Sequence, residues 1–514
     1  MANSAGVDTG AQDAHGRGEG TDGGTGAGAA EERPGERPEE RPGGTDRSRG
    51  RRARHAVVVG GSLSALLTAR VLSDHADRVT VVERDRFPDG PEPRAGVPQS
   101  RHLHVLLASG QRAMEELLPG ILDELREHGS PRVGQPDDLV QWQSGSFYRR
   151  TPASTHLLTA SRPLLEWLVR RRVLADPRIT VVEGTEVVGL VGDATRVRGV
   201  RLRERGAETR HDVRPLAADL VVDASGRGTR APDWLAGIGA EPPHEETLDT
   251  GLAYASRLYR APENAEGPDC HGYFFVGDKD HAEGGVVLPV EGGLHIVTLT
   301  GLRGGEPPSD DEGFAEFATR LPHPALHEWL LKAEPASSVH AFRSTANVRR
   351  RYDRPGRRPA GFLATGDALC AFNPVYGQGM TIAAIGALAL GNALSDPRRT
   401  PTTRRVQRAL LKASRQAWDL SAGADRPLPG ARGNAARVRA ADRPGAWYLG
   451  RVVARAAGDP VVGDAFRQVT HLTSTVGVLF TPRVLRAVLF TPVGPELTEP
   501  QPQREPGSAR PATG

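Results

Sequence analysis

The sequence predicts an α/β protein with a parallel sheet at its centre, and two segments more than three hundred residues apart support this class. The first segment is an apolar strand over residues 56–59, followed by a turn of small residues and a helix. The second is an apolar strand after Gly361 that ends in Gly366-Asp367. A strand, a small-residue turn and a helix in this order form the phosphate-binding unit of a Rossmann-like fold.

The turn after the first strand contains six small or apolar residues, and the next apolar strand, over residues 79–82, ends in an acidic residue. Backbone N–H groups at a helix start attract a pyrophosphate, and Glu83, 23 positions after Gly60, can accept hydrogen bonds from ribose hydroxyls. Ser62 stands at the second glycine position, where it either adds a hydroxyl to the phosphate site or is simply a small residue at a helix start. The cofactor contacts predicted here are Gly60, Gly61, Ser62, Ser64, Glu83 and Arg84.

A glycine-rich turn follows the strand that ends in Gly366-Asp367 and leads into a helix of small residues. Taken alone, Asp367 could be an ordinary turn or N-cap carboxylate. Together, the two segments resemble the FAD-dependent aromatic hydroxylase superfamily, in which this aspartate binds the ribitol of FAD and the next helix N-terminus faces the flavin. The resemblance implies FAD contacts at Gly366, Asp367, Gly377, Gly379 and Met380.

Cationic residues between these segments are further candidates for FAD contact. Arg101 lies in a block of turn residues and cations, and Arg162 begins a helical segment at the place of a superfamily arginine that reaches the cofactor. Each could instead be a solvated surface charge, and Arg94 is undecided between the two roles. His102 and His104 lack neighbouring cysteine or histidine partners in the sequence, so no metal site is predicted.

Within the superfamily, the chain resembles most closely the actinobacterial flavin epoxidases of polyether biosynthesis, such as the monensin and lasalocid enzymes. The segments over residues 96–104, 223–228 and 371–380 support this. The resemblance implies that reduced FAD and dioxygen form a C4a-hydroperoxide, which epoxidises an alkene of a polyketide-type product. No catalytic side chain is therefore expected. Hydroxylation of an aromatic or polyketide ring and reduction of an isoprenoid are the alternatives, whereas no Trp-x-Trp-x-Ile-Pro element supports halogenation.

The source of electrons is left open by the segment that begins at Asp223. Aromatic hydroxylases carry Asp-Gly here, in association with the nicotinamide cofactor, whereas this chain has Ser225-Gly226. There is also no second dinucleotide-binding pattern. We therefore expect either transient binding of NAD(P)H or reduction by an external flavin reductase.

A substrate layer is predicted between the FAD segments. It comprises a strand over residues 251–259 and a hairpin of residues 285–289 with 294–300. Aromatic and turn residues near these strands are candidates for a pocket wall, although an aromatic side chain in a strand is often ordinary core. The pocket candidates are Tyr254, Phe372, Pro374 and Tyr376.

The domain organisation predicted from these motifs is discontinuous. The FAD-binding domain combines residues 54–115, 155–240 and 355–396. Residues 116–154 and 241–354 form the inserted β-sheet substrate domain, and 397–495 form a helical region that caps the cavity or mediates a dimer. Residues 1–53 and 496–514 are polar, rich in Pro, Gly, Glu and Arg, and predicted to be disordered tails.

The composition limits the kinds of partner that the chain is expected to bind. A formal net charge of +3 arises from scattered charges and does not predict nucleic-acid binding. Two cysteines and no long apolar run predict a cytoplasmic protein without a membrane span, and Arg51-Arg52 is not interpreted as an export signal. The expected partners are dioxygen, a small alkene or aromatic substrate and, optionally, a flavin reductase.

Overall fold

The structure is a computed structural model that describes residues 54–206, 212–262, 270–278, 280–437, 442–492 and 494–502. The predicted N-terminal tail lies outside the described residues, as does most of the C-terminal one. The segment 494–502 is described and bonds to the body of the protein, with the amide of Phe147 donating to the carbonyl of Leu497 over 2.9 Å.

The described part of the chain contains strands of two to eight residues. In chain order they are β1 (His55–Val59), β2 (Arg78–Val82), β3 (Arg132–Gln135), β4 (Leu139–Gln143), β5 (Ser146–Phe147), β6 (Thr155–Leu158), β7 (Ile179–Val182), β8 (Thr185–Gly192), β9 (Val197–Glu204), β10 (Arg214–Ala217), β11 (Leu220–Asp223), β12 (His244–Leu248), β13 (Ala253–Arg260), β14 (Gly272–Phe275), β15 (Gly284–Pro289), β16 (Leu294–Gly301), β17 (Glu334–Pro335), β18 (His340–Phe342), β19 (Asn347–Arg351), β20 (Phe362–Ala364) and β21 (Cys370–Ala371).

Helices flank these strands and follow them in the last quarter of the chain. They are α1 (Leu63–Leu72), α2 (Ala108–Leu117), α3 (Ile121–Glu127), α4 (Arg162–Leu174), α5 (Ala231–Gly237), α6 (Asp311–Phe317), α7 (Ala325–Lys332), α8 (Gly379–Ser395), α9 (Thr403–Asp425), α10 (Arg443–Ala456), α11 (Pro460–Thr470) and α12 (Pro482–Leu489). Among the described residues, none of these helices is both long and apolar enough to cross a bilayer.

A five-stranded parallel sheet with the order β20-β11-β1-β2-β7 forms the centre of the fold. Apart from the edge strand β7, its strands are largely apolar and buried, as a parallel sheet covered on both faces requires. Val59 pairs with Val82 on one side and with Asp223 on the other, and Asp223 pairs in turn with Ala364. Because all pairs are parallel, these four strands end at one edge, which is where ligands bind in such sheets. The α/β class is confirmed.

A larger mixed sheet, with the order β17-β13-β16-β15-β14-β4-β5, lies beside this core, and β18 pairs with β13. The predicted hairpin is confirmed as β15 and β16, which pair antiparallel around a short 3-10 turn at Glu291–Gly293. Helices α6 and α7 pack on one face of the sheet around Phe314 and Leu326. The other face meets the segment before α2, where Leu107 joins Val286 in a second apolar cluster.

Candidate active site

The turn after β1 brings backbone and carboxylate close together. Gly60 adopts φ +98°, and a Cβ on it would lie 2.8 Å from the carbonyl oxygen of Ala224. Gly61 donates its N–H to Glu83 Oε2 over 2.6 Å, and a Cβ on Gly61 would lie 2.7 Å from the ring of Phe87. A side chain at either position would clash with a neighbour, so glycine is required at both. The hydrogen bond from Gly61 holds the Glu83 carboxylate next to the turn.

Glu83 belongs to a buried ion cluster that the sequence did not reveal. Its second oxygen accepts from the amide of Asp85 over 2.9 Å, and Arg94 lies 3.3 Å from the first. Arg94 also reaches Asp85 at 3.2 Å and Glu166 at 3.0 Å. Burial alone would lower the pKa of Arg94, but Glu166, Glu83 and Asp85 raise it. Arg94 is thus a buried counter-charge for three carboxylates, whereas Arg84 is exposed to solvent.

Ser62 connects the N-termini of α1 and α4. Its hydroxyl donates to Glu166 Oε2 over 2.9 Å and accepts from Arg162 Nη2 over 2.7 Å. Arg162 Nη2 lies 3.0 Å from the same carboxylate oxygen, and all three side chains are at least partly buried. Burial would raise the pKa of Glu166, but Arg162, Arg94 and the Ser62 hydrogen bond hold it below its usual value. The predicted site residues Ser62 and Arg162 are therefore in direct contact.

The two glycine motifs meet at Gly366. This residue adopts φ +54°, and a Cβ on it would overlap the hydroxyl of Ser64 in the first turn of α1. The Ser64 hydroxyl is buried and has no hydrogen-bond partner among the described residues. There is no room for a side chain at Gly366, and the buried Ser64 hydroxyl lacks a hydrogen-bond partner in the part of the chain that the structure describes. A polar ligand bound here could supply that partner.

Asp367 follows at the same edge of the sheet. Burial raises the pKa of its carboxyl group, and Arg227, Arg162 and Arg350 oppose the shift. Arg350 donates to the backbone carbonyl of Asp367 over 3.3 Å, but no described residue donates a hydrogen bond to its carboxylate. The carboxylate is thus available to accept from a ligand hydroxyl.

The turn before α8 has the geometry of an open helix N-terminus. Gly377 adopts φ +63°, and a Cβ on it would lie 2.6 Å from Val105, whereas one on Gly379 would meet nothing within 4 Å. The first turn of α8 contains no acidic residue, and Met380 is buried beneath it. Free N–H groups at this end favour a negatively charged group.

The predicted aromatic residues occupy two different places. Tyr254 lies on β13, with its ring 4.7 Å from that of His102 and 5.4 Å from that of Phe342. Tyr376 is half-buried and donates its hydroxyl to Asp425 in α9 over 2.6 Å. Phe372 is buried and accepts from Arg227 through its backbone carbonyl over 2.6 Å. Pro374 is half-buried, and Arg101 is exposed, 3.5 Å from His340.

Three uncharged polar side chains form a row of hydrogen bonds at the large sheet, and the sequence did not predict this row. His102 Nδ1 lies 2.9 Å from the hydroxyl of Ser256, which lies 2.7 Å from that of Thr298. Burial lowers the pKa of His102 to about 3, with smaller contributions from His104 and His340, so the imidazole is uncharged near neutral pH. The alternation of β13 and β16 could have placed both hydroxyls on one face, but no sequence signal pairs them with His102.

Asp425 is a second residue that the sequence did not single out. It is buried at the end of α9 and, besides Tyr376, accepts from Nδ2 of Asn347 over 2.6 Å and of Asn373 over 3.1 Å. Burial raises the pKa of Asp425, and these hydrogen bonds oppose the shift. Helix α9 therefore anchors the turn that leads into α8.

Sulfur and metal chemistry find no support among the described residues. These residues contain no group of three or more His, Cys, Asp or Glu side chains able to hold a metal ion. Burial raises the pKa of the Cys370 thiol to about 12, so it is protonated near neutral pH. Cys370 is accordingly a buried packing residue at the start of β21.

The chain belongs to the FAD-binding domain family, whose pattern matches residues 54–420. The match runs from the strand before Gly60 into α9 and includes both glycine motifs. Membership assigns FAD as the cofactor and places the chain among the FAD-dependent monooxygenases.

Among its relatives, the chain is 35% identical to Protein Rv3254 of Mycobacterium tuberculosis over 453 residues, 84% of this chain and 93% of that protein. It is 27% identical to 6-methylpretetramide 4-monooxygenase of Streptomyces rimosus over 403 residues, 70% and 83% of the two chains. The structure of p-nitrophenol 4-monooxygenase PnpA from Pseudomonas putida shares the fold, with a TM-score of 0.56, 17% identity and coverage of 82% and 99%. Flavin-dependent halogenases share it as well.

Proposed function

We propose that the chain is a monooxygenase that transfers one oxygen atom of dioxygen to a polyketide-type small molecule, with alkene epoxidation as the preferred reaction. The observation that supports this is the position of Arg227, which donates to the carbonyl of Phe372 over 2.6 Å and whose charge acts on both Asp367 and Tyr254. Burial raises the pKa of the Tyr254 phenol; Arg227 lowers it, and the neighbouring Asp367 raises it further. A substrate bound against Tyr254 would thus lie next to the cofactor edge.

The residues proposed to hold FAD form four groups along that edge. Glu83 and the turn at Gly60 face the adenosine end, where a carboxylate can accept from ribose. Arg162 and the N-terminus of α1 face the pyrophosphate, and Ser64 and Asp367 have unused capacity for ribitol hydroxyls. The N-terminus of α8 would stabilise negative charge on the ring system.

Reduced FAD supplies the oxygen-transfer chemistry when it is bound, and the residues of this chain would position the substrate and exclude water. The ring of Tyr254 and its neighbour Phe342 offer an apolar wall. His102 and Ser256 add polar groups without charge. These neutral groups suit oxygen transfer to a neutral alkene, because no proton must leave such a substrate before the reaction.

Hydroxylation of an aromatic polyketide ring is the second candidate. The 27% identity to 6-methylpretetramide 4-monooxygenase favours it. In this reaction His102, as a neutral imidazole, would hold a ring hydroxyl in place by a hydrogen bond, because its low pKa makes it too weak a base to remove the proton. Epoxidation and hydroxylation therefore assign different roles to His102.

The test uses the FAD-loaded protein, NADPH with a separate flavin reductase, ¹⁸O₂, and two probes: a linear polyene polyketide and a tetracyclic phenolic polyketide. Mass spectrometry follows incorporation of one ¹⁸O atom into each. Labelled epoxide from the polyene supports the preferred reaction, and labelled phenol from the tetracycle supports the second. Addition of two hydrogens without ¹⁸O would overturn both in favour of an alkene reductase.

Omission of the reductase identifies the electron donor in the same assay. Product formed with NADPH alone would mean that the chain accepts hydride directly. The sequence Ser225-Gly226 in place of Asp-Gly leads us to expect that product forms only when the reductase is present.

A further inference from the structure

Exposed apolar side chains are concentrated in the C-terminal helices. Of the seven large apolar residues that are exposed in the described part of the chain, five lie between residues 447 and 490. Trp447 is 60% exposed and Phe490 is 79% exposed, which is unusual for side chains of this size. We call these five the C-terminal patch; they are Trp447, Leu449, Phe480, Leu489 and Phe490.

Contacts between the C-terminal helices connect several residues of the patch. The ring of Phe480 stacks on Tyr448 of α10, with centroids 4.9 Å apart. Arg451, also on α10, lies 5.3 Å from the ring of Trp447 and donates to the carbonyl of Val488 over 3.3 Å, beside Leu489 in α12. Arg451 therefore connects Trp447 on α10 to the end of α12, and Phe480 lies against α10.

The two helices that contribute to the patch carry charge of one sign. Helices α10 and α12 contain five arginines and no Asp or Glu. Arg443, Arg483 and Arg486 are exposed. The acidic residues nearest to the patch along the chain are Asp442, which directly precedes α10, and Glu496, six positions after Phe490. Further along, Asp459 caps α11, and Asp464 accepts from Gln468 over 3.0 Å.

We infer that the C-terminal patch docks on an anionic lipid surface. Exposed aromatic rings beside arginines match the interface of such a surface, where rings enter the headgroup region and guanidinium groups contact phosphates. A second copy of the chain fits less well, because a two-fold interface would bring arginines of one copy towards those of the other. An acidic protein partner would satisfy the charges but would not require rings as exposed as Phe490.

The test measures co-sedimentation of the full-length, FAD-loaded protein with two kinds of vesicle. One kind contains phosphatidylcholine alone, and the other also contains about 30% phosphatidylglycerol. We expect binding to the anionic vesicles to be at least about tenfold stronger and to weaken with added salt. No preference for the anionic vesicles would overturn the inference.

Variants separate the patch from other basic parts of the chain. The double variants W447S/F490S and R483E/R486E should each reduce binding about tenfold or more. The matched control R404E/R408E changes the charge of exposed α9 residues by the same amount and should leave binding intact. Equal binding by patch and control variants would overturn the inference, because another segment would then contact the lipid.

Two further measurements complete the design. Circular dichroism and FAD content of each variant establish that it is folded, and Leu331→Ser, at an exposed apolar residue of α7, controls for loss of surface hydrophobicity. Sedimentation velocity without lipid tests whether a second copy of the chain binds to the patch instead. A wild-type dimer that W447S/F490S converts to monomer would assign the patch to self-association and overturn the lipid proposal.

Discussion

The hydroxyl of Ser62 donates to Glu166 Oε2 over 2.9 Å, across 104 residues of chain. A glycine at position 62 would match the dinucleotide-binding pattern better, but it could not make this bond. The same hydroxyl accepts from Arg162, so one small side chain orients both partners of an ion pair. The serine that weakened the sequence match thus has a defined structural role.

Substitution Ser62→Gly should weaken FAD binding about five- to tenfold, because the orientation of Arg162 is lost while the backbone of the turn is preserved. The Ser62 side chain makes no capping bond to α1, but its removal deletes two hydrogen bonds to the Arg162–Glu166 ion pair, so the unfolding free energy of the apoprotein should fall by about 1–2 kcal/mol. Titration of apoprotein with FAD, followed by quenching of flavin fluorescence, measures the affinity. Ser338→Ala, at an exposed serine, is the control, and unchanged affinity in Ser62→Gly would contradict the role assigned to the hydroxyl.

Substitution Asp367→Asn should have opposite effects on stability and on FAD affinity. Burial raises the pKa of this carboxyl group, so keeping it ionised at neutral pH costs the folded state free energy. An uncharged side chain should therefore stabilise the apoprotein by about 1 kcal/mol and weaken FAD binding tenfold or more. Urea unfolding and FAD titration measure the two quantities. Asp311→Asn, at a carboxylate that is 65% exposed, should weaken FAD binding little or not at all.

Substitution His102→Gln distinguishes the two proposed reactions. Epoxidation needs no hydrogen bond to a ring hydroxyl, so kcat on the polyene should fall less than about fivefold, and its pH profile should keep its shape. Hydroxylation of a phenol that His102 orients would instead lose about a hundredfold in kcat. The conservative variant Ser256→Ala, which removes the partner of Nδ1, should follow His102→Gln in either case. A hundredfold loss of kcat on the polyene would contradict an epoxidation in which His102 has no part.

Buried histidines predict a loss of stability at mildly acidic pH. Burial lowers the pKa of His102 to about 3 and those of His104 and His471 to about 4, whereas histidines of an unfolded chain titrate near pH 6.5. Between these values the unfolded state binds more protons, so the free energy of unfolding should fall as the pH drops below about 6.5. Urea unfolding of the apoprotein at about pH 7.5 and pH 5.5 measures the difference, expected to be a few kcal/mol.

His471→Gln is the matched variant for this pH dependence. The imidazole accepts from the amide of Ala108 and contacts Gln135 Oε1 at 2.6 Å, and a glutamine amide can replace the second contact. The variant should therefore show a smaller difference in stability between the two pH values. A difference equal to that of the wild type would exclude His471 as a contributor.

The α/β class could be predicted because its signals are local. The turn after β1 and the Gly366-Asp367 turn each contain one glycine at positive φ, and the adjoining strands are largely apolar. The parallel sheet brings both turns to one edge without further information. The contact between Gly366 and Ser64 follows from this topology. The topology does not predict that the Ser64 hydroxyl lacks a hydrogen-bond partner among the described residues.

The contacts that could not be predicted depend on side chains from distant segments. Arg94 was undecided between surface and cofactor because nothing in its neighbourhood shows that Glu166 lies 3.0 Å away. His102 meets Ser256 only because the large sheet packs against the segment before α2. Such pairs depend on the angle between two layers, which periodicity along one strand or helix does not specify.

The anchoring of Tyr376 by Asp425 has a consequence for how such flavoproteins can be divided and recombined. The family match ends at residue 420, but the carboxylate that fastens the glycine turn lies five residues further on, near the last turn of α9. A fragment trimmed to the family boundary would leave the tyrosine hydroxyl and two asparagine amides without their shared acceptor. Chimeras that exchange the C-terminal helices of two relatives should therefore be joined after Asp425.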